Sequence, residues 1–444
     1  MLLINNTVII DDPLKGSFRH GESILVEGTE IKALGPTSVM RESYPDAQQM
    51  DGKSCFLLPG LVDAHTHLYG ALIGAKPPAG DPPQNFPQVL DRVWWLWDRA
   101  LRDEDVKLSA LMGSLASLRS GVTTIFDHHA SPSTVPDSLS LLAEEINKCG
   151  LRACLSYETS DRNGPDSFKE GVAENRRFIL DTNRQSNDML KGIFGMHAVF
   201  SLSDESLHRC GQAAAELDAG CHLHVAEHLA EVEKFAKSHQ QSIPEFLAEV
   251  GILGPKSLMA HTVHFDEQDI KVVKSTDTFN VHNPRSNMSN GVGIAKIPKM
   301  FDMGQPVCLG SDGFFDLPHE TGYARMLQIV ASGNPSAFSE KQALTMLYDH
   351  NVKLGERIFG CRMGKIAPGY KADIILMAYD PIAPIEEENH LSHVLGALTA
   401  GQVKSVIING KFVMRDNEIL DVDESQVMAN ARIAARDIWK RFSE

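Results

Sequence analysis

Leu61-Val62-Asp63-Ala64-His65-Thr66-His67 is the stretch that decides the fold. Leu61, Val62 and Ala64 make a short apolar strand, and it ends in two histidines spaced i and i+2. Those positions face the same way on a strand, so both imidazoles point to one side. Ionisable side chains at the end of an apolar strand mark the mouth of a barrel, where all strand ends converge. Seven further runs share the texture, at 123–128, 152–159, 193–200, 221–227, 257–264, 278–283 and 306–312. Helical patterns such as 104–119 and 229–235 lie between most of them. Eight βα units over roughly 300 residues predict a closed (β/α)8 TIM-type barrel. An open doubly wound sheet is the alternative, but no G-x-G-x-x-G turn follows the first strand.

The ends of the chain have a different character. NTVIID (6–11), SILVEGTEIKALG (23–35) and SCFLLPG (54–60) alternate β-branched residues with Gly and Asn turn signals. The same texture returns in ADIILMAY (372–379) and in VIINGKFVM (406–414), a hairpin around Asn409-Gly410. The pattern predicts a small discontinuous β-sandwich formed by 1–58 and 367–422, a metal-dependent hydrolase barrel at 59–366, and a C-terminal helix within 423–444. Val427, Ala431, Ala434 and Ile438 give that helix one apolar face, to pack on the barrel or on a second subunit. The Pro-rich insertion at 76–87, followed by Trp94, Trp95 and Trp97, is long enough to act as a lid.

Composition narrows the function classes. The 444 residues carry a net charge of −16, and no Lys/Arg run offsets it, which excludes nucleic acid as a main partner. Seven scattered cysteines without a Cys-x-x-Cys pair predict reduced thiols in a cytoplasmic protein. No run approaches the ~18 apolar residues of a membrane span. A homodimer is the base-rate expectation for such a barrel.

The 18 histidines are concentrated where chemistry would sit. Beyond His65 and His67, strand five gives His222-Leu-His224-Val-Ala-Glu227, strand six His261-Thr-Val-His264, and strand eight Gly310-Ser311-Asp312-Gly313. A lone histidine at a strand end is ordinarily a hydrogen-bonded core residue. Four such ends in one barrel single out a metal site. Three imidazoles and one carboxylate suit zinc or another borderline divalent ion, with a position left for water.

PGLVDAHTH, HVAEH, the strand-six histidine, the HNPxSN-type loop at 282–287 and LGSDG together resemble the amidohydrolase superfamily. The branch is similar to guanine, adenosine-type and triazine deaminases and chlorohydrolases. The resemblance extends over nearly the whole chain, including Gly369–Leu376 (GYKADIIL) and the NGK hairpin. It implies that His65, His67, His224 and Asp312 bind the metal. It implies that His261 holds the attacking water or the oxygen of the intermediate, and that Glu227 shuttles protons to the ring nitrogen and leaving group. His197, in GMHAVFS, resembles a family histidine that contacts substrate.

Physics agrees with those roles. A zinc-type ion brings the pKa of bound water to about 7 and so supplies hydroxide at neutral pH. Asp312 would be both ligand and acceptor of the water's proton. A non-ligating glutamate that protonates the ring recurs in unrelated zinc deaminases. Hydantoinases and dihydroorotases resemble one another in a strand-four lysine that bridges two metals after carboxylation. Gly195-Met196-His197 offers none, and Lys191 precedes the strand. The expectation is one divalent metal per subunit, zinc first, with iron or manganese as alternatives. The expected activity is hydrolytic deamination of a small purine-like nitrogen heterocycle. Removal of chloride or alkylamine, or cyclic amide hydrolysis, is the alternative within enzymes. A silent barrel with a binding or regulatory role is opposed by the filled metal and proton-transfer positions.

Other residues keep two readings. His128 and His129 line the pocket or satisfy loop carbonyls. His222 lies one layer deeper than His224, in a supporting or core place. His264 bonds the substrate or a ligand's far nitrogen. The tryptophans stack a planar ring or pack the core, and Phe314 and Phe315 stand near the same apolar wall.

Overall fold

The structure is a computed structural model that describes residues 1–74, 76–185 and 187–442. Eight parallel strands carry the middle of the chain: β1 (Leu61–Thr66), β2 (Val122–His129), β3 (Arg152–Tyr157), β4 (Phe194–Ala198), β5 (Cys221–Val225), β6 (Leu258–His261), β7 (Phe279–His282) and β8 (Val307–Leu309). β1, β2 and β3 pair in order, and β4 through β8 pair in order. The two sheets meet at both seams. Leu190–Gly192 pairs with β3 just before the chain enters β4, and Thr159 bridges Met196. Thr66 bridges Asp312, and the Asp312 N–H donates to the His65 carbonyl at 2.9 Å, which joins β8 back to β1. The β3–β4 seam is tight: a Cβ on Gly195 would lie 2.2 Å from the Tyr157 carbonyl oxygen, so only glycine fits.

Most strands stop short of the apolar runs that predict them. The sequence run at 257–264 yields Leu258–His261, and that at 306–312 yields Val307–Leu309. The reason lies in the backbone. Ala226, His261, Thr262 and Asp312 have φ of 49°, 73°, 47° and 54°, left-handed values that end a strand. Such residues cost of order 1–3 kcal/mol each and persist only where the surroundings hold them.

Strands from both chain ends share one sheet. Its order is Glu418–Ile419, Lys411–Arg415, Gln402–Ile408, Ile374–Ala378, Phe56–Pro59, Val8–Ile10, Phe18–Arg19. A second sheet runs Glu30–Pro36, Glu22–Glu27, Leu2–Asn5, Gln48–Asp51. Period-two alternation divides the larger sheet's two faces. Leu57, Ile374, Leu376 and Ile407 pack with Ile4, Ile24 and Val26 of the smaller sheet. Phe56, Leu58, Ile375 and Met377 turn instead to the main core of the barrel and its helices. Asn409 and Gly410 have φ of 51° and 78°, as a type I′ hairpin turn requires.

The C-terminal helix, Glu424–Phe442, buries Val427, Ala431, Ile438 and Phe442. It packs on the chain's own helices Asp103–Arg119 and Trp95–Ala100, and Arg441 Nε donates to the Ala100 carbonyl at 2.7 Å. Among the described residues no helix is long and apolar enough to cross a membrane.

Candidate metal centre

His65 and His67 leave β1 on the same face, and His222 and His224 do so on β5. Hydrogen bonds fix which nitrogen of each ring is bare. His67 Nδ1 lies 2.6 Å from the His128 carbonyl and His224 Nδ1 lies 2.7 Å from the His197 carbonyl. A carbonyl only accepts, so both Nδ1 atoms carry the proton and both Nε2 atoms present a lone pair. Those two Nε2 atoms face each other 3.1 Å apart.

The tautomer of His65 follows from a short relay. The Ser156 hydroxyl donates to the Asp127 carbonyl, so Ser156 Oγ accepts from His222 Nδ1 at 3.3 Å. His222 Nε2 is then bare and accepts from His65 Nδ1 at 2.7 Å. His65 Nε2 is left bare, buried and without a hydrogen-bond partner.

Two opposed lone pairs at 3.1 Å repel unless a cation lies near both. Nitrogens 2.0–2.1 Å from a tetrahedral zinc stand about 3.3 Å apart, so the spacing fits. One ligand atom each from His65, His67, His128 and His224 lie within 4.8 Å of one another, as do those of His65, His261 and Asp312. Asp312 Oδ1 lies 3.3 Å from His67 Nε2. Burial, then the neighbouring imidazoles, hold His65 and His224 well below the usual histidine range, in the neutral form a metal needs.

His261 and Glu227 complete the cluster. Asn287 Oδ1 accepts from His261 Nδ1 at 2.8 Å, so His261 Nε2 is also bare. It lies 3.6 Å from Glu227 Oε2 and 3.8 Å from Asp312 Oδ2. Burial, reinforced by Asp312, raises the Glu227 carboxyl well above the usual range. Below the site, Asp63 accepts from both the Ser311 amide and the Ser311 hydroxyl, tying β1 to the residue before Asp312.

The remaining aromatic and histidine residues sort themselves by position. His128 stacks on His222 at 4.2 Å, with neither ring nitrogen hydrogen-bonded. His129 donates to Ser131 and His264 to the Val292 carbonyl, and neither lines the cavity. His197 does, with Trp94 and Trp95, while Trp97 is fully buried and donates to the Tyr69 carbonyl. Phe86, near the end of the Pro-rich insertion, and Leu90 just beyond it line the cavity and pack on Val263 and Val292. Phe314 and Phe315 depart from the expected wall: Phe314 is exposed beneath Arg285, Phe315 is partly buried against the main core, and neither lines the cavity. Glu158, Glu231, Asp98 and Asn290 line it without having been visible in any motif.

The amidohydrolase family matches residues 56–413, most of the chain.

This chain belongs to the amidohydrolase family.

It is therefore a hydrolase of carbon–nitrogen bonds other than peptide bonds. Two curated relatives match it nearly end to end. The 5-methylthioadenosine/S-adenosylhomocysteine deaminase of Pelotomaculum thermopropionicum is 29% identical over 99% of both chains. The 5'-deoxyadenosine deaminase of Methanocaldococcus jannaschii is 30% identical over 94% of this chain and 97% of the relative. Among solved structures, an adenosine deaminase from Xanthomonas campestris with bound zinc has a TM-score of 0.84 at 23% identity, covering 99% and 98% of the two chains. The atrazine chlorohydrolase of Arthrobacter aurescens complexed with zinc has a TM-score of 0.80 at 20% identity, covering 98% and 100%. Those likenesses establish the TIM-barrel fold.

Proposed function

We propose that the chain is a mononuclear metal-dependent aminohydrolase that removes an amino group from a purine-like nitrogen heterocycle. The observation that carries this is the meeting of the bare Nε2 atoms of His67 and His224 beside Asp312 and the orphaned His65 Nε2. The relatives named as deaminases of adenosine-type compounds support the substrate class.

His65, His67, His224 and Asp312 would hold the ion, and the His3Asp donor set suits zinc, iron or manganese. When bound, such an ion lowers the pKa of water to about 7 and makes hydroxide available at neutral pH. The protein's own groups do the rest. Asp312 Oδ2 takes the proton of the attacking water. His261 Nε2, its ring held by Asn287, hydrogen-bonds the incoming oxygen. Glu227, kept protonated by burial beside Asp312, donates to the ring nitrogen as the oxygen adds to the neighbouring carbon. The carbon–nitrogen bond then breaks toward nitrogen: the amino group leaves as ammonia with the proton that Asp312 took, and the hydroxyl proton of the intermediate passes to Glu227 as the carbonyl forms, which restores both carboxyl groups.

A single ion is favoured because His67 and His224 each offer one bare nitrogen, aimed at the same place. The neighbouring group of Glu158, His197 and His224 would have to share His224, whose Nδ1 proton is committed. The test is elemental analysis of protein purified without chelator, followed by an ammonia-release screen over purines, pterins and triazines. About one equivalent of zinc or iron, lost in His65→Ala, is the expected result. Two equivalents overturn the mononuclear reading. No metal even after reconstitution overturns the aminohydrolase reading altogether.

A further inference from the structure

Five carboxyl groups line the cavity: Asp98, Glu158, Glu227, Glu231 and Asp312. Each of these residues is at most 8% exposed. Asp98 Oδ1, Glu158 Oε1 and Glu231 Oε1 have no hydrogen-bond partner. Among the described residues no lysine or arginine shares the wall with them. At the inner end the bare Nε2 atoms of His67, His224 and His261 add lone pairs to the same surface.

One guanidinium lies behind this wall, and it is already engaged. Arg162 Nη2 donates to Asp98 Oδ2 in an ion pair, and the guanidinium lies over the Trp95 ring, 5.4 Å from its centroid. Trp95 and Asp98 line the cavity, whereas Arg162 does not. The pair thus closes one side of the cavity with its cation turned to the back. A divalent ion held by three imidazoles is matched in charge by Asp312 and one hydroxide, which leaves no charge over for a substrate anion.

Burying an anion without a cationic partner is costly, whereas a neutral ring needs only hydrogen bonds. Burial pushes the Glu231 carboxyl up to about 8, so at neutral pH it is an uncharged acid. A substrate carboxylate beside it has only that one proton to share. A substrate cation instead draws the proton off and pairs with the carboxylate left behind. We propose that the cavity sorts heterocycles by charge: it takes those with uncharged or cationic substituents and rejects those carrying a carboxylate or phosphate, with Asp98 keeping Arg162 from serving as an anion site. This rests on the aminohydrolase reading of the same site.

The experiment uses three adenines whose N9 substituents share one shape and differ in charge: carboxymethyl is anionic, carbamoylmethyl neutral and amidinomethyl cationic. Metal-loaded wild type and Asp98→Asn are assayed for kcat/KM with each, alongside adenine, and binding is measured by calorimetry. In the wild type the neutral and cationic compounds are expected within about 10-fold of each other, and the anionic one on the order of 100-fold lower. Asp98→Asn frees Arg162 and raises the anionic-to-neutral ratio about 10-fold. Ratios within one protein do not depend on how much of a variant is folded. Equal kcat/KM for the carboxymethyl and carbamoylmethyl compounds in the wild type overturns the charge sorting and leaves the aminohydrolase intact. Turnover of adenine with all three derivatives rejected also overturns it, since size and not charge then decides. Sorting in the wild type with an unchanged ratio in Asp98→Asn overturns the part given to the Asp98–Arg162 pair. Neither binding nor turnover of any of the four by the wild type sinks the purine reading itself.

Discussion

The side of the site proposed to bind the metal and the side proposed to move protons are built on different backbones. His65 and His224 sit within β1 and β5, and His67 just past β1, on backbone of ordinary negative φ. Carbonyls and His222 turn their rings until three bare nitrogens converge. On the proton-transfer side, His261 occupies left-handed backbone where β6 ends and Glu227 follows left-handed Ala226; Asp312, proposed to serve both sides, is left-handed past β8. Holding an ion needs fixed distances, which strand ends and carbonyl bonds provide. Moving a proton needs side chains re-aimed across the mouth, and the turn out of each strand provides that at the expense of local strain.

If the two sides are separate, damage to each should read out differently. The largest effect belongs to His224→Ala, which removes one converging nitrogen. Elemental analysis should find no bound metal, and turnover should fall by on the order of 10⁴ or more. Zinc should raise the unfolding midpoint of the wild type and leave that of the variant unmoved. Retained metal in His224→Ala would dissolve the comparison.

Next comes Glu227→Gln, with an expected rate loss of ~10²–10⁴ and metal content unchanged. Because burial and the nearby Asp312 raise the Glu227 carboxyl, its proton is held to higher pH than an ordinary glutamate's and is lost as pH rises further. The wild-type kcat/KM profile should therefore descend as pH rises, and that limb should be missing from the residual activity of Glu227→Gln. His222→Leu should weaken metal affinity by about 10–100-fold, since His65 loses the acceptor that fixes its tautomer. The alkaline limb should survive in it.

The smallest effect is expected from Asp127→Asn. Burial pushes the Asp127 carboxyl up to about 8, whereas an unfolded aspartate ionises near ~4. Between those values the folded state binds the extra proton, so its stability falls as pH rises. Midpoints of urea unfolding at several pH values should show a shallower decline in the variant. An identical slope would remove Asp127 from the account.

The barrel was legible because β1 and β5 each display an H-x-H pair on one face, a pattern helices do not produce. The bare and protonated nitrogens were not, since they depend on carbonyls of His128 and His197 that no local pattern brings near. Glu158 is silent in sequence for a related reason. It stands in Tyr157-Glu158-Thr159 with no ionisable residue two positions away, and only its place after a barrel strand marks it. The tryptophans divide because the π-turn Leu90–Trp94 leads into Trp95–Ala100, leaving Trp94 and Trp95 at the cavity and Trp97 inside. The expectation for Phe314 and Phe315 fails because the chain turns left-handed at Asp312 and again at Phe315.

Phe56–Pro59 runs directly into β1, and its antiparallel neighbour is Ile374–Ala378. During synthesis, the strand that anchors the first two histidines emerges more than three hundred residues before its partner leaves the ribosome. Until then Phe56–Pro59 has an open edge along that side, and such edges invite pairing with other chains. A nascent chain halted before residue 374 should therefore need a chaperone to stay dispersed. The contact that closes this edge beside β1 becomes available only once residues 374–378 have been made.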